Sequence, residues 1–159
     1  MYEEEFNQIK TVISKLRIDA NAKVVFLVDK NGQQIAAQGE IENLDTTSLA
    51  SLTAGNVAAT DGLARLIGEK EFSILFHEGE RDNIHISIVA QRVILVVIFD
   101  ERSSLGLVRL RVKKASGELN DVFARIMSKV ERERAAAGAA FESPFAEITD
   151  DDIDSLFSE

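Results

Sequence analysis

Only two histidines, His77 and His85, stand in a chain with no cysteine, so few side chains are available for covalent or metal chemistry. The missing thiols exclude disulfide scaffolding, thiol catalysis and cysteine-ligated zinc. Each histidine alternates with apolar neighbours on its own predicted strand. A metal or acid-base role needs further partners that the spacing does not supply, so both read as exposed strand histidines. Ser103 and Ser104 have no nucleophile-elbow motif around them and suit a helix cap. No Gly-x-x-x-x-Gly-Lys-Ser/Thr run offers a phosphate cradle. Gly55 and Gly62 fall inside a predicted helix rather than in a strand-to-helix turn, which excludes a dinucleotide loop. The expectation is a chain with no catalytic site, metal or cofactor of its own, leaving surface recognition as the chemistry to look for.

Two segments suit recognition. Asp45, ahead of Thr46-Thr47-Ser48, can cap a long second helix that Gly68 can end in a left-handed turn. Within it Leu49, Leu52, Ala59, Leu63 and Leu66 trace one stripe, interrupted by Asn56, and are expected to face a sheet. Ser51, Ala54, Gly55, Ala58, Gly62 and Arg65 trace a neighbouring stripe of mostly small side chains. Each helical glycine costs roughly 1 kcal/mol relative to alanine, so two of them call for a packing reason. That reason is either the domain's own sheet or a second backbone, and the second fits better if the leucines already mark the sheet side. The other segment is C-terminal. Phe145 and Ile148 precede Thr149-Asp150-Asp151-Asp152, and Ile153, Leu156 and Phe157 then line one side of the final residues. The segment reads either as a disordered acidic tail or as a short amphipathic helix that docks when a partner is present.

These segments need a scaffold. Tyr2, Phe6, Ile9, Ile13 and Leu16 fall on one stripe of a first helix. Val24–Val28 forms an apolar strand, and Asn31-Gly32 predicts a tight hairpin into a second strand from Gln33 to Gln38, both turn residues accepting positive φ. Alternation predicts strands around Phe72–Phe76 and Ile84–Ile88, and Val93–Phe99 reads as a central strand. Ser103-Ser104 opens a third helix whose apolar positions run from Leu105 to Val130. Arg109, Arg111, Lys113 and Lys114 near its start read as a solvated face. The order helix, strand, strand, helix, three strands, helix gives an α+β fold with a five-stranded, mainly antiparallel sheet and helices for both faces. The expected division is a domain over 1–131, a linker over 132–144 and a docking segment over 145–159, with Ser143-Pro144 as the break.

Composition agrees with a single domain. A chain of 159 residues, 45% hydrophobic and 28% charged, buries one core. The net charge of −9 disfavours nucleic-acid binding. Residues from Glu142 onward carry −7 of it, leaving a nearly neutral body. Glu3-Glu4-Glu5 stands where a secretory leader would need basic and apolar residues, and no run is apolar enough to span a membrane, so the cytoplasm is expected.

The runs NAKVVFLVDKNGQ, LDTTSLASLTAGNVAATDGLARLIGE, VILVVIFDERSSLGLVRLRVKKAS and SPFAEITDDDIDSLF closely resemble Roadblock/LC7 proteins of gliding bacteria. The likeness extends over nearly the whole chain. It implies a homodimer with sheets joined edge to edge and second helices side by side. It further implies a platform for a small Ras-like GTPase of the MglA type, whose GTP hydrolysis is accelerated without an inserted arginine finger, in polarity and gliding, with concentration at a cell pole. Ala54, Ala58 and Gly62 would form the close contact, with Arg65 in a rim salt bridge. The rival within the family is a scaffold that binds a GTPase or motor complex without accelerating hydrolysis. A small enzyme of profilin-like architecture is the rival outside it, disfavoured by the lack of any catalytic cluster.

Overall fold

The computed structural model describes residues 2–141, with side chains described to Gly138. Phe145, Ile148, Ile153, Leu156 and Phe157 lie outside the described residues. The elements are α1 (Glu3–Asp19), β1 (Val24–Asp29), β2 (Gln34–Gly39), α2 (Thr46–Leu66), β3 (Ile74–Glu78), β4 (Asn83–Val89), β5 (Val93–Phe99) and α3 (Leu105–Phe141). The five strands form one sheet in the order β2-β1-β5-β4-β3, and every neighbouring pair is antiparallel. This is the α+β arrangement expected from the sequence, and α3 continues through the alanine-rich stretch to Phe141.

The central strands are apolar on both faces because both faces are covered. Val25 and Leu27 of β1 join Leu95, Val97 and Phe99 of β5 in a core beneath α1 and α3. Val24, Phe26 and Val28 join Ile94, Val96 and Ile98 in a second core beneath α2. All seven residues of β5 are buried, whereas none of β3 is. Helices α1 and α3 run antiparallel: Tyr2 bonds Glu133, Lys129 pairs with the buried Glu5, and Arg125 donates to Gln8.

Local chemistry ends the elements as expected at three helix termini. The Asp45 carboxylate accepts the Ser48 N–H at 3.0 Å, and Ser104 Oγ accepts the Leu107 N–H at 3.2 Å. Helix α2 stops at Gly68, whose φ is +85°, with Glu69 N–H returning to the Ala64 carbonyl. The first hairpin is looser than the tight turn expected. Only Gly32 has a positive φ, of +91°; Asp29 accepts from both Asn31 and Gln33 N–H, and the register shifts between Leu27 and Val28. The side chain of Asp29 organises the turn, so Asn31 keeps an ordinary φ.

One end of the sheet is tied by charges and backbone contacts. Arg102 binds Asp100 at 3.0 Å and Glu40 at 3.1 Å, and holds the Asp100 carboxyl below the usual carboxylate range. Ser103 Oγ donates to the Ala20 carbonyl, and Lys23 reaches Asp82 at 3.2 Å. Gly39 is seated against this corner with φ +116°; a Cβ there would lie 2.2 Å from the Lys23 carbonyl oxygen.

His85 corrects the reading of an exposed strand histidine. It is 1% exposed, because β4 lies inside the sheet and its second face is also covered. His77, on the edge strand, is exposed as expected. Burial, then the charge of Arg109, holds the His85 pKa below its ordinary value. Unfolded chains take up that proton near pH 6.5 and the folded chain resists it, so stability is full above about pH 6.5 and falls as the pH drops. The urea midpoint is therefore expected to be lower at pH 5.5 than at pH 7.5. His85→Leu should remove most of that difference, since carboxylates stay ionised across this window; an equal drop in the variant would assign the effect elsewhere.

Candidate protein-binding surface

Among the described residues, α2 is the only helix on its side of the sheet, and its buried side is made of small residues. Ala50, Thr53, Ala54, Val57 and Ala64 are its buried positions. The strands below already supply Val, Ile and Phe side chains, so a helix close to them buries alanine, threonine and valine rather than the larger leucines along its length. The expectation that the leucine stripe faces the sheet is overturned by this packing. Leu52, Leu63 and Leu66 are 72%, 60% and 83% exposed, and Ile67, just past the helix, is 69% exposed. Leu49 alone of the large residues in that stripe packs against the core edge.

The small-residue stripe divides accordingly. Ala54 belongs to the sheet side and is buried. Ser51, Gly55, Ala58 and Arg65 are exposed, and Gly62 is half-buried. A Cβ added at Gly55 or Gly62 would meet nothing within 4 Å, so neither glycine is needed for packing within the domain. The hairpin turn instead closes on the start of α2, where a Cβ at Gly32 would lie 3.3 Å from Ser51 Cα.

The outward surface of α2 therefore carries small residues bordered by leucines. Nδ2 of Asn56 lies 3.4 Å from His77 Nε2, linking the helix flank to β3 at the sheet edge. Residue-by-residue reading placed Leu52, Leu63 and Leu66 inward and did not single out Ile67, whereas all four lie on the surface. The available signal was volume: strands this bulky leave no space for leucines beneath a covering helix. An exposed apolar patch framed by polar residues is a mark of protein association.

The described residues hold nothing that resembles a catalytic centre. Among them no group of three or more His, Cys, Asp or Glu could hold a metal ion, and no helix is long and apolar enough to cross a membrane. Arg102 is occupied by Asp100 and Glu40.

The Roadblock/LC7 domain model matches residues 8–99. Among solved structures, MglB of Myxococcus xanthus is similar at 66% identity and TM-score 0.76, covering 79% of this chain and 94% of that one. The gliding protein MglB of Thermus thermophilus is 31% identical with TM-score 0.71, covering 74% and 90%. An MglB with a tetrameric arrangement is 30% identical with TM-score 0.70, covering 74% and 89%. Comparison with curated protein sequences gives no match.

Proposed function

Because the chain belongs to the Roadblock/LC7 domain family, we propose that it acts as a homodimeric activator of GTP hydrolysis by a small Ras-like GTPase of the MglA type, in gliding and cell polarity. The observation that carries this reading is the outward surface of α2, with leucines and small residues on a helix whose sheet side is already filled. Two such helices side by side, with the β3 edges adjoining, give a platform on which a GTPase surface sits close to the backbone at Gly55, Ala58 and Gly62. The likeness at 66% identity to MglB supports the choice of GTPase. The decisive test is single-turnover hydrolysis by the GTPase with and without this protein. Binding without acceleration would favour the scaffold role.

The platform acts on residues of the GTPase itself rather than lending it a side chain. An arginine finger is worth about 10³ to 10⁵ in rate, so its removal would be plain. Arg65→Ala and Arg102→Ala are each expected to retain most of the acceleration, with Arg102→Ala also lowering stability because it loosens the corner at Glu40 and Asp100. A fall to the intrinsic rate with binding intact would make that arginine catalytic.

Residues from Phe145 onward serve as a second contact with the GTPase. Their sequence joins Phe145, Ile148, Ile153, Leu156 and Phe157 to a run of carboxylates, which suits a basic surface with an apolar groove. Deleting them should weaken GTPase binding, with a larger deficit at low salt, while dimerisation and thermal stability stay unchanged. Equal binding by full-length and truncated protein at both salt concentrations would leave the segment without this role.

A further inference from the structure

The sheet holds a polar pair on the face that α3 covers. His85 and Ser87 are two residues apart on β4, so their side chains share that face, with 1% and 5% of their surface exposed. Among the described residues, neither ring nitrogen of His85 nor Oγ of Ser87 has a hydrogen-bond partner. The neighbours that the register sets beside His85 are apolar, Val97 on β5 and Phe76 on β3. Phe76 also stacks on Phe99, with ring centroids 6.2 Å apart. Charges approach the imidazole from two elements. On α3 Arg109 opposes a proton on it, with Lys113 one turn further along, and on β3 Glu78 stands two residues beyond Phe76; all three are exposed. Strand β5 brings no charge to this face, since Leu95, Val97 and Phe99 are its residues there.

We propose that β3 is a proton-released strand: when His85 takes up a proton, this edge strand parts from β4 and opens the imidazole to water while the rest of the domain stays folded. A charged imidazole with no acceptor for its N–H groups, beside a cation, cannot stay enclosed, so some part of its covering must give way. Strand β3 is the part that gives way most readily. It pairs only with β4, over five residue pairs, and none of its residues is buried. By contrast all seven residues of β5 are buried, and Val108 and Val112 anchor α3 in the core. Release therefore sacrifices one short ladder and the stack of Phe76 on Phe99, and no core side chain. In the proposed assembly, where β3 edges adjoin, covering the edge would oppose proton uptake, and proton uptake would weaken that covering by the same factor. That consequence alone rests on the assembly; the release itself does not.

Amide exchange on the full chain tests it, with rates corrected for the intrinsic effect of pH. Between pH 7.5 and 5.5 the amides of β3 should lose about tenfold in protection, as for a histidine that regains an ordinary pKa of about 6.5 on release. Amides of β2, the other edge, should not change, because β1 and β5 separate that strand from β4. His85→Leu should abolish the β3 response. Arg109→Glu, at an exposed position, sets the opposite charge beside the imidazole and should reduce the response without touching the core, which frees the test from how well the leucine packs. A β3 loss no larger than that of β2 would mean that the proton enters through global unfolding, and a β3 response unaltered by Arg109→Glu would separate it from His85. Either result overturns the proposal.

Discussion

Arginine at Ala58 or Gly62 is expected to leave the chain folded and to remove its effect on GTP hydrolysis. Ala58 is exposed, and a Cβ at Gly62 meets no atom within 4 Å, so the fold has room for the new side chain. A partner does not. A backbone seated on this stripe would have to move away by several ångströms, losing the apolar contacts of Leu52, Leu63 and Leu66 together. Losses at the centre of an interface run to about 2–4 kcal/mol, a factor of roughly 30 to 1,000 in affinity. The measurements are titration of the GTPase against the variant, and single-turnover hydrolysis at concentrations that saturate the unaltered protein. Thermal unfolding serves as the check on folding. Arginine at Ala50, which is 1% exposed, should by contrast unfold the chain. A folded Ala58→Arg or Gly62→Arg protein that binds and activates normally would show that the stripe touches no partner.

Replacing Gly39 by valine should cost more stability than any surface change, about 3 kcal/mol or more. Two penalties act together there. The φ of +116° lies where only glycine is at ease, and a Cβ would lie 2.2 Å from the Lys23 carbonyl and 2.9 Å from Arg17 Nε. The carbonyl is backbone at the tied corner of the sheet, so it cannot swing aside as a flexible side chain would. Gly68 isolates the first penalty, since its φ is +85° but a Cβ there meets nothing within 4 Å. Gly68→Ala should therefore cost about 1–2 kcal/mol. Urea unfolding of both variants measures the difference, and equal losses at the two positions would rule out the close approach to Lys23.

Much of this architecture could be read from residue types. Val24–Val28 and Val93–Phe99 are continuous apolar runs because α1 and α3 cover one face and α2 the other. Asp45, Ser104 and Gly68 end their helices by chemistry confined to a few neighbouring residues. The orientation of α2 was not legible in the same way. Hydrophobicity alone puts leucines inward, but the depth available beneath the helix is set by strands distant in sequence, and only their combined volume shows that alanines must go there. His85 departs from its pattern for a related reason. Alternation on β4 suggests one wet face, and only the placement of β4 between β5 and β3 shows that both are covered. The small-residue stripe was legible as a stripe, yet its assignment depended on the side that the leucines took.

The burial of the strands falls away towards both edges, from β5 with all seven residues buried to β2 with one and β3 with none. Backbone amides at the centre of such a sheet exchange with solvent only when the whole domain opens, whereas those at a poorly covered edge exchange through local fraying. The β3 edge carries His77, which reaches Asn56 on α2. The least buried strand of the sheet therefore adjoins the outward surface of α2. A partner that covers this edge would slow amide exchange in β3, and that slowing would report its arrival before any change at the core.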